Sequence, residues 1–117
     1  DEDIVAQAMT MLLSHSGYRV IRCADGREAV ECFRERKENV DLALLDFRMP
    51  IMTGAEAYLE LRSIDPDLPV ILMSGNLSVP EFRDLEAKGL RAILRKPCSR
   101  LELMAAIRGV LGEAASL

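Results

Sequence analysis

The sequence contains one histidine and an odd number of cysteines, which limits the metal and disulfide chemistry open to it. With His15 alone, a multi-histidine metal centre is excluded, and a surface or helix-end role is the favoured interpretation. Cys23, Cys32 and Cys98 lack the close paired spacing of a zinc site or of a disulfide framework. We therefore predict that all three cysteines are reduced and structural.

A basic surface and long apolar runs are also missing. The net charge is -4, and the 15 basic residues are interspersed among 19 acidic ones, so no basic stripe is available for nucleic-acid backbones or anionic lipid. No apolar stretch approaches the roughly 20 residues of a membrane-spanning helix, and the acidic start differs from a signal peptide. We expect no direct nucleic-acid partner, no membrane contact by this domain and a cytoplasmic location.

Half of the residues are hydrophobic, and a length of 117 residues is enough to bury one core. We therefore treat residues 1–117 as one globular domain. An amphipathic helix is predicted from Ile4 to Leu13, with Gly17 ending it. Four strands are predicted at 18–23, 40–46, 69–73 and 91–94, and each leads into a helix. The helix starts carry Asp25 with Glu28, Gly54, Ser78 with Glu81, and Ser99 with Glu102.

This alternation of strand and helix favours an α/β fold built from βαβ units. Right-handed crossovers would give a doubly wound parallel sheet with helices on both faces. In such a sheet, ligands bind at the carboxyl ends of the strands.

Three polar side chains fall at those strand ends. Asp46, Ser74 and Lys96 each lie at or just beyond the end of successive predicted strands, so we expect them to meet in one crevice. A carboxylate, a hydroxyl and an ammonium group suit phosphoryl transfer. Singly, each has an ordinary explanation as a cap, a turn residue or a solvated cation. Their ordered coincidence supports the functional interpretation.

Three segments resemble the receiver domains of response regulators: "LALLDFRMPIMTG", "LPVILMSG" and "LRKP". The resemblance covers essentially the whole chain and implies a flavodoxin-like fold. It also implies that Asp46 accepts a phosphoryl group from a phosphohistidine of a histidine kinase or phosphotransfer protein. Ser74 and Lys96 would assist, and the phosphorylated domain would change its contacts with an output domain or protein.

The resemblance further implies Mg²⁺ or another divalent cation. Its ligands would be Asp1, the acceptor Asp46 and the backbone carbonyl of Arg48. The family's first strand and first metal acid would lie ahead of residue 1, so we expect that the first strand is missing from this chain by truncation. Ile93 stands where the family commonly has an aromatic residue, and a core role is preferred for it.

The same side chains could also belong to an enzyme or to an interaction module. An enzyme acting on phosphorylated small molecules is disfavoured, because phosphatases of this kind need a second aspartate two residues after the first. Arg48 occupies that position and cannot donate a proton at neutral pH. A phosphate-independent interaction module remains open. A stand-alone receiver and the receiver of a hybrid kinase both remain open, and Phe82 and Leu85 of the fourth helix are a candidate partner surface.

Overall fold

The computed structural model describes residues 2–23, 25–46, 51–75, 79–90, 92–96 and 98–112. Within these ranges the chain forms five α-helices and three strands, and a short 3₁₀ helix, Lys37–Asn39, lies between the second helix and the first strand. The helices are α1 (Glu2–His15), α2 (Gly26–Arg36), α3 (Gly54–Ile64), α4 (Val79–Ala87) and α5 (Arg100–Leu111). The strands are β1 (Ala43–Asp46), β2 (Val70–Ser74) and β3 (Ala92–Arg95).

The three strands form a parallel sheet in the order β1-β2-β3. Asp46 at the end of β1 lies opposite Met73, and Ser74 at the end of β2 lies opposite Arg95. All five residues of β2 are buried, as expected of a parallel strand covered on both faces. The prediction of a doubly wound parallel sheet is confirmed, and these three strands begin and end within three residues of the predicted bounds.

Each face of the sheet has its own apolar cluster. Leu45 and Leu72 belong to the first cluster, whereas Leu44 and Ile71 belong to the second. The first cluster holds buried side chains of α2, α3 and α4, and the second holds those of α1 and α5. Successive strand residues point to opposite faces, so one apolar run supplies both clusters. Helices therefore cover both faces, as the alternation predicted.

Capping residues define several helix ends. Ser99 and Glu102 form the predicted capping box at the start of α5, with the Ser99 hydroxyl accepting from the Glu102 N–H at 3.1 Å. Thr53 and Glu56 form an equivalent box at the start of α3. The backbone N–H groups of Thr53 and Ser99 donate to the carboxylates of Glu56 and Glu102, respectively. These hydrogen bonds hold the pKa of both glutamates below the usual value. Gly17 has a φ of 97°, which favours glycine at the end of α1.

The prediction of a strand at 18–23 is wrong, because the structure places no strand there. Tyr18 and Val20 pack against the second cluster, but the segment borders a wide cleft between itself, α2 and β1. A strand is defined by a hydrogen-bonded partner. In the flavodoxin-like order, the partner of this segment would be a strand ahead of α1. The described residues contain no strand in that place.

The prediction that Leu85 contributes to a partner surface is also wrong. Its side chain is 4% exposed and packs in the first cluster, and the Phe82 side chain lies outside the described residues. The Tyr58 hydroxyl donates to the Lys88 carbonyl at 2.9 Å, which ties the turn after α4 to α3. Ile93 is half-buried against the first cluster, in agreement with its predicted core role.

Within the described part of the chain, no helix has the length and apolarity needed to cross a membrane.

Replacement of Gly26 by alanine is expected to destabilise the fold. A Cβ at Gly26 would lie 2.7 Å from the Met52 carbonyl oxygen, a backbone atom that cannot easily move. Overpacking of this kind lowers the free energy of unfolding by about 1–3 kcal/mol. The matched control is Gly109→Ala in α5, where a Cβ meets nothing within 4 Å. That change should raise stability by roughly 0.5–1 kcal/mol. Urea unfolding measures the stability of both variants. Equal stability would show that the Met52 carbonyl does not crowd a side chain at position 26.

Candidate functional site

Parallel pairing brings the three predicted side chains to one edge of the sheet. Asp46 is the last residue of β1, Ser74 is the last of β2, and Lys96 directly follows β3. The Lys96 N–H donates to the Ser74 carbonyl at 3.0 Å, so the main chain extends the ladder one residue past β3. The backbone register of the three strands therefore places Asp46, Ser74 and Lys96 at the same edge of the sheet.

Asp46 and Lys96, fifty residues apart in sequence, form an ion pair in which Nζ donates to Oδ2. Their side chains retain 27% and 29% of their exposure, respectively. At this partial burial the attraction between the two charges is screened less than in bulk water. One carboxylate oxygen is thus held by a cation, and both side chains keep part of their contact with solvent. The predicted convergence of Asp46 and Lys96 is present in the structure.

Ser74 lies between these two groups in the strand order, at the end of the central strand β2. Its side chain is 3% exposed, and it is the one buried polar residue in the described ranges. No buried side-chain nitrogen or oxygen there lacks a hydrogen-bond partner. The site thus combines a carboxylate, a cation paired with it and a hydroxyl at the adjacent strand end.

A divalent cation fits this site on the chemistry of its described donor. The Asp46 carboxylate is a hard oxygen ligand of the kind Mg²⁺ prefers, and its side chain is partly exposed. The other two predicted ligands, Asp1 and the carbonyl of Arg48, lie outside the described residues. Among the residues that are described, no group of three or more His, Cys, Asp or Glu side chains is positioned for a metal.

Sequence reasoning missed Ile51, which precedes the capping box of α3. Ile51 has a φ of 70° and is 80% exposed. A β-branched residue in the left-handed region is strained, and this residue also leaves a large apolar side chain in water. No periodicity or motif signals backbone strain, so the sequence gives no warning of it.

The decisive comparison is with protein-family models. The model of the response regulator receiver domain matches residues 1–108. The chain belongs to the response regulator receiver family. The resemblance in the three sequence segments is thereby confirmed, and so is the flavodoxin-like fold.

Curated relatives of this receiver chain include both response regulators and sensor kinases. It is 36% identical over 112 residues to the response regulator MprA of Mycobacterium leprae, covering 95% of this chain and 48% of that protein. It is 34% identical over 111 residues to the sensor kinase CckA of Brucella abortus, covering 95% and 12%. The receiver chain therefore spans less than half the length of either relative.

A solved structure shows the same fold in a related protein. The receiver domain of a sensor histidine kinase from Pseudomonas aeruginosa matches with a TM-score of 0.81 and 27% identity. The match covers 96% of this chain and 92% of that one. That structure is described with a magnesium ion coordinated in its active-site cleft.

Relief of the strain at position 51 is expected to stabilise the receiver chain. Asparagine enters the left-handed region more easily than isoleucine does, so Ile51→Asn should raise the free energy of unfolding by about 1 kcal/mol. The matched control is Ile51→Val, which keeps the β-branch and should leave stability unchanged within about 0.5 kcal/mol. Urea denaturation measures both. A loss of stability in the asparagine variant would show that the isoleucine side chain makes a stabilising contact.

Proposed function

We propose that Asp46 accepts a phosphoryl group from the phosphohistidine of a histidine kinase or phosphotransfer protein in a two-component phosphorelay. The aspartyl phosphate would then alter contacts with an output domain or protein in the cytoplasm. The observation that carries this proposal is the Asp46–Lys96 ion pair at the carboxyl edge of the sheet. Family membership supports the proposal, because receivers are the phosphorylated partners in such systems.

The chemical step is an in-line displacement at phosphorus. One Asp46 carboxylate oxygen attacks opposite the histidine nitrogen, a P–O bond forms, and the P–N bond breaks. The electron pair of the broken bond leaves with the imidazole nitrogen, which takes up a proton. Lys96 opposes the negative charge that gathers on the phosphoryl oxygens, and it is already positioned by its bond to the carboxylate.

The proposed ligands for Mg²⁺ are Asp1, Asp46 and the carbonyl of Arg48. When bound, the cation supplies positive charge that offsets repulsion between the carboxylate and the phosphoryl oxygens. Lys96 contributes a second, permanent positive charge as a point donor. Lys96 and a bound cation would therefore oppose the negative charge of the same phosphoryl oxygens, while Asp46 attacks the phosphorus atom.

Ser74 is proposed to respond to the product. An aspartyl phosphate carries about -1.5 to -2 of charge in place of the single negative charge of the carboxylate, and it adds three strong acceptor oxygens at the end of β1. The Ser74 side chain is buried at the end of the adjacent strand, and its hydroxyl can donate a hydrogen bond to one of these oxygens. Reorientation of this hydroxyl would reorganise the chain that follows β2 and change the surface presented to a partner.

Phosphorylation should depend on Asp46. The chain is incubated with acetyl phosphate and Mg²⁺, and intact mass is recorded. We expect one added phosphoryl group in the parent chain and none in Asp46→Asn, because an amide is a poor nucleophile. Asp41→Asn is the matched control, since Asp41 is an exposed acid just ahead of the same strand. It should still be phosphorylated.

Two results would contradict the proposal. Phosphorylation that persists in Asp46→Asn would place the acceptor elsewhere. Failure of this chain alone would agree with the expected loss of the first strand and first metal acid. A folded version that carries the expected first strand and still gains no phosphoryl group, either from acetyl phosphate or from a phosphorylated histidine kinase domain, would favour the phosphate-independent interaction module. Far-ultraviolet circular dichroism verifies folding in both cases.

Loss of the Lys96 charge should slow the reaction. Lys96→Gln keeps much of the side-chain stem but removes the cation beside Asp46, and we expect phosphorylation to be at least about tenfold slower. The control is Lys88→Gln, which breaks the exposed ion pair between Lys88 and Asp84 at the end of α4. Its rate should match that of the parent chain. Equal rates in the two variants would exclude a role for the Lys96 charge.

A further inference from the structure

The apolar contacts of α4 with the core are concentrated at its carboxyl end. Leu85 is the one buried side chain among those of α4 that the structure describes, and it packs in the first cluster. Leu90, just beyond the helix, is buried in the same cluster. Near the start of α4, by contrast, the side chains of Pro80 and Arg83 are exposed. The two ends of this helix are therefore held to the core unequally.

Backbone hydrogen bonds close the carboxyl end of α4. The Leu90 N–H donates to the Leu85 carbonyl at 3.1 Å, and the Gly89 N–H donates to the Glu86 carbonyl at 3.0 Å. This pair of bonds forms a Schellman motif, and Gly89 has the left-handed backbone that the motif requires, with a φ of 100°. The main chain thus fixes the last turn of α4, and the buried leucines lie at the two ends of one of these bonds.

Two side chains of α3 hold the same turn. The buried Tyr58 hydroxyl donates to the Lys88 carbonyl at 2.9 Å, which satisfies one of the carbonyls that a helix end leaves without an intrahelical partner. An Arg62 N–H donates to the Tyr58 hydroxyl at 3.5 Å, so the hydroxyl accepts on one side and gives its single proton to the carbonyl on the other. The Arg62 guanidinium also lies against Gly89, where it leaves no room for a Cβ.

This unequal attachment determines how α4 can move. An α-helix is stiff over a few turns, so a displacement at one end becomes a rotation about the point at which the other end is held. Ser74, at the end of β2, precedes the amino end of α4 in the chain. The turn held by Tyr58 and Arg62 lies at the opposite end of the helix.

We propose that Tyr58 and Arg62 make the carboxyl end of α4 a fixed pivot, about which the amino end turns when Ser74 responds to the aspartyl phosphate. This inference rests on the proposed function, since the movement begins at Ser74. The surface that changes for a partner is the one around Arg83, whereas the turn at Lys88 keeps its position. Tyr58 and Arg62 are therefore positioning residues that act through α4.

The first test is amide hydrogen exchange in the unphosphorylated chain, followed for single residues by nuclear magnetic resonance. The amides of Lys88 and Leu90 are compared with that of Arg83, and Leu72 of β2 reports global unfolding. After correction for intrinsic rates, we expect Lys88 and Leu90 to exchange at least about tenfold more slowly than Arg83, because opening of the carboxyl end must break its anchors. Equal protection at the two ends would overturn the pivot.

A conservative variant isolates the tyrosine hydroxyl. Tyr58→Phe keeps the buried ring and removes the bond to the Lys88 carbonyl, so exchange at Lys88 and Leu90 should become roughly threefold to tenfold faster relative to Leu72. A general loss of stability would accelerate Leu72 as well and leave this ratio unchanged. The matched control is Lys88→Gln, which breaks the exposed ion pair with Asp84 but keeps the carbonyl. Its ratio should change by no more than about twofold, and an equal change in the two variants would contradict the anchor.

The second test adds acetyl phosphate and Mg²⁺, both to this chain and to a version that carries the expected first strand. We expect the resonance of Arg83 to shift and those of Lys88 and Leu90 to stay in place. Equal shifts at both ends would show that α4 moves as a whole, which would overturn the pivot. If neither version takes up a phosphoryl group, the proposed function fails, and the exchange ratios of the unphosphorylated variants still decide whether the carboxyl end is anchored.

Discussion

The complete burial of β2 is the constraint on which the rest of the structure depends. Its five residues are shielded on both faces and pair with a strand on each side. Because both faces of such a strand are apolar, helices must cover the sheet on both sides. Ile71 and Leu72 show the division directly, since the first packs toward α5 and the second toward α3. The two clusters are therefore consequences of one strand.

The same pairing generates the site. Neighbouring parallel strands end at the same edge, so the polar residues that follow the apolar runs meet without any local contact in sequence. Asp46 and Lys96 come together across fifty residues because each is registered against β2. At the partial burial that results, the two charges are screened less than in water. The parallel order of the strands therefore brings Asp46 and Lys96 together at this edge.

Much of this arrangement could be predicted because its determinants are local. Ser99 and Glu102 predict a helix start from a window of four residues. The apolar run before Asp46 predicts a buried strand. The composition of the 18–23 segment predicts a strand just as clearly. A strand also needs a hydrogen-bonded partner, however, and the neighbouring residues do not reveal whether that partner is present. The burial of Leu85 and the left-handed backbone at Ile51 likewise depend on tertiary packing. For Asp1 and Arg48 the predicted roles remain predictions.

The polar residues at the strand ends have a second physical role, in the specificity of folding. A strand that is apolar on both faces tolerates a shift in register, since either cluster accepts any of its side chains. Asp46 removes that freedom. A slip of one residue that carried it into the position of Leu45 would bury a carboxylate away from Lys96, at a cost of several kcal/mol on the order expected for an unpaired buried ion. The acid proposed as the phosphoryl acceptor therefore also disfavours sheets with a shifted register.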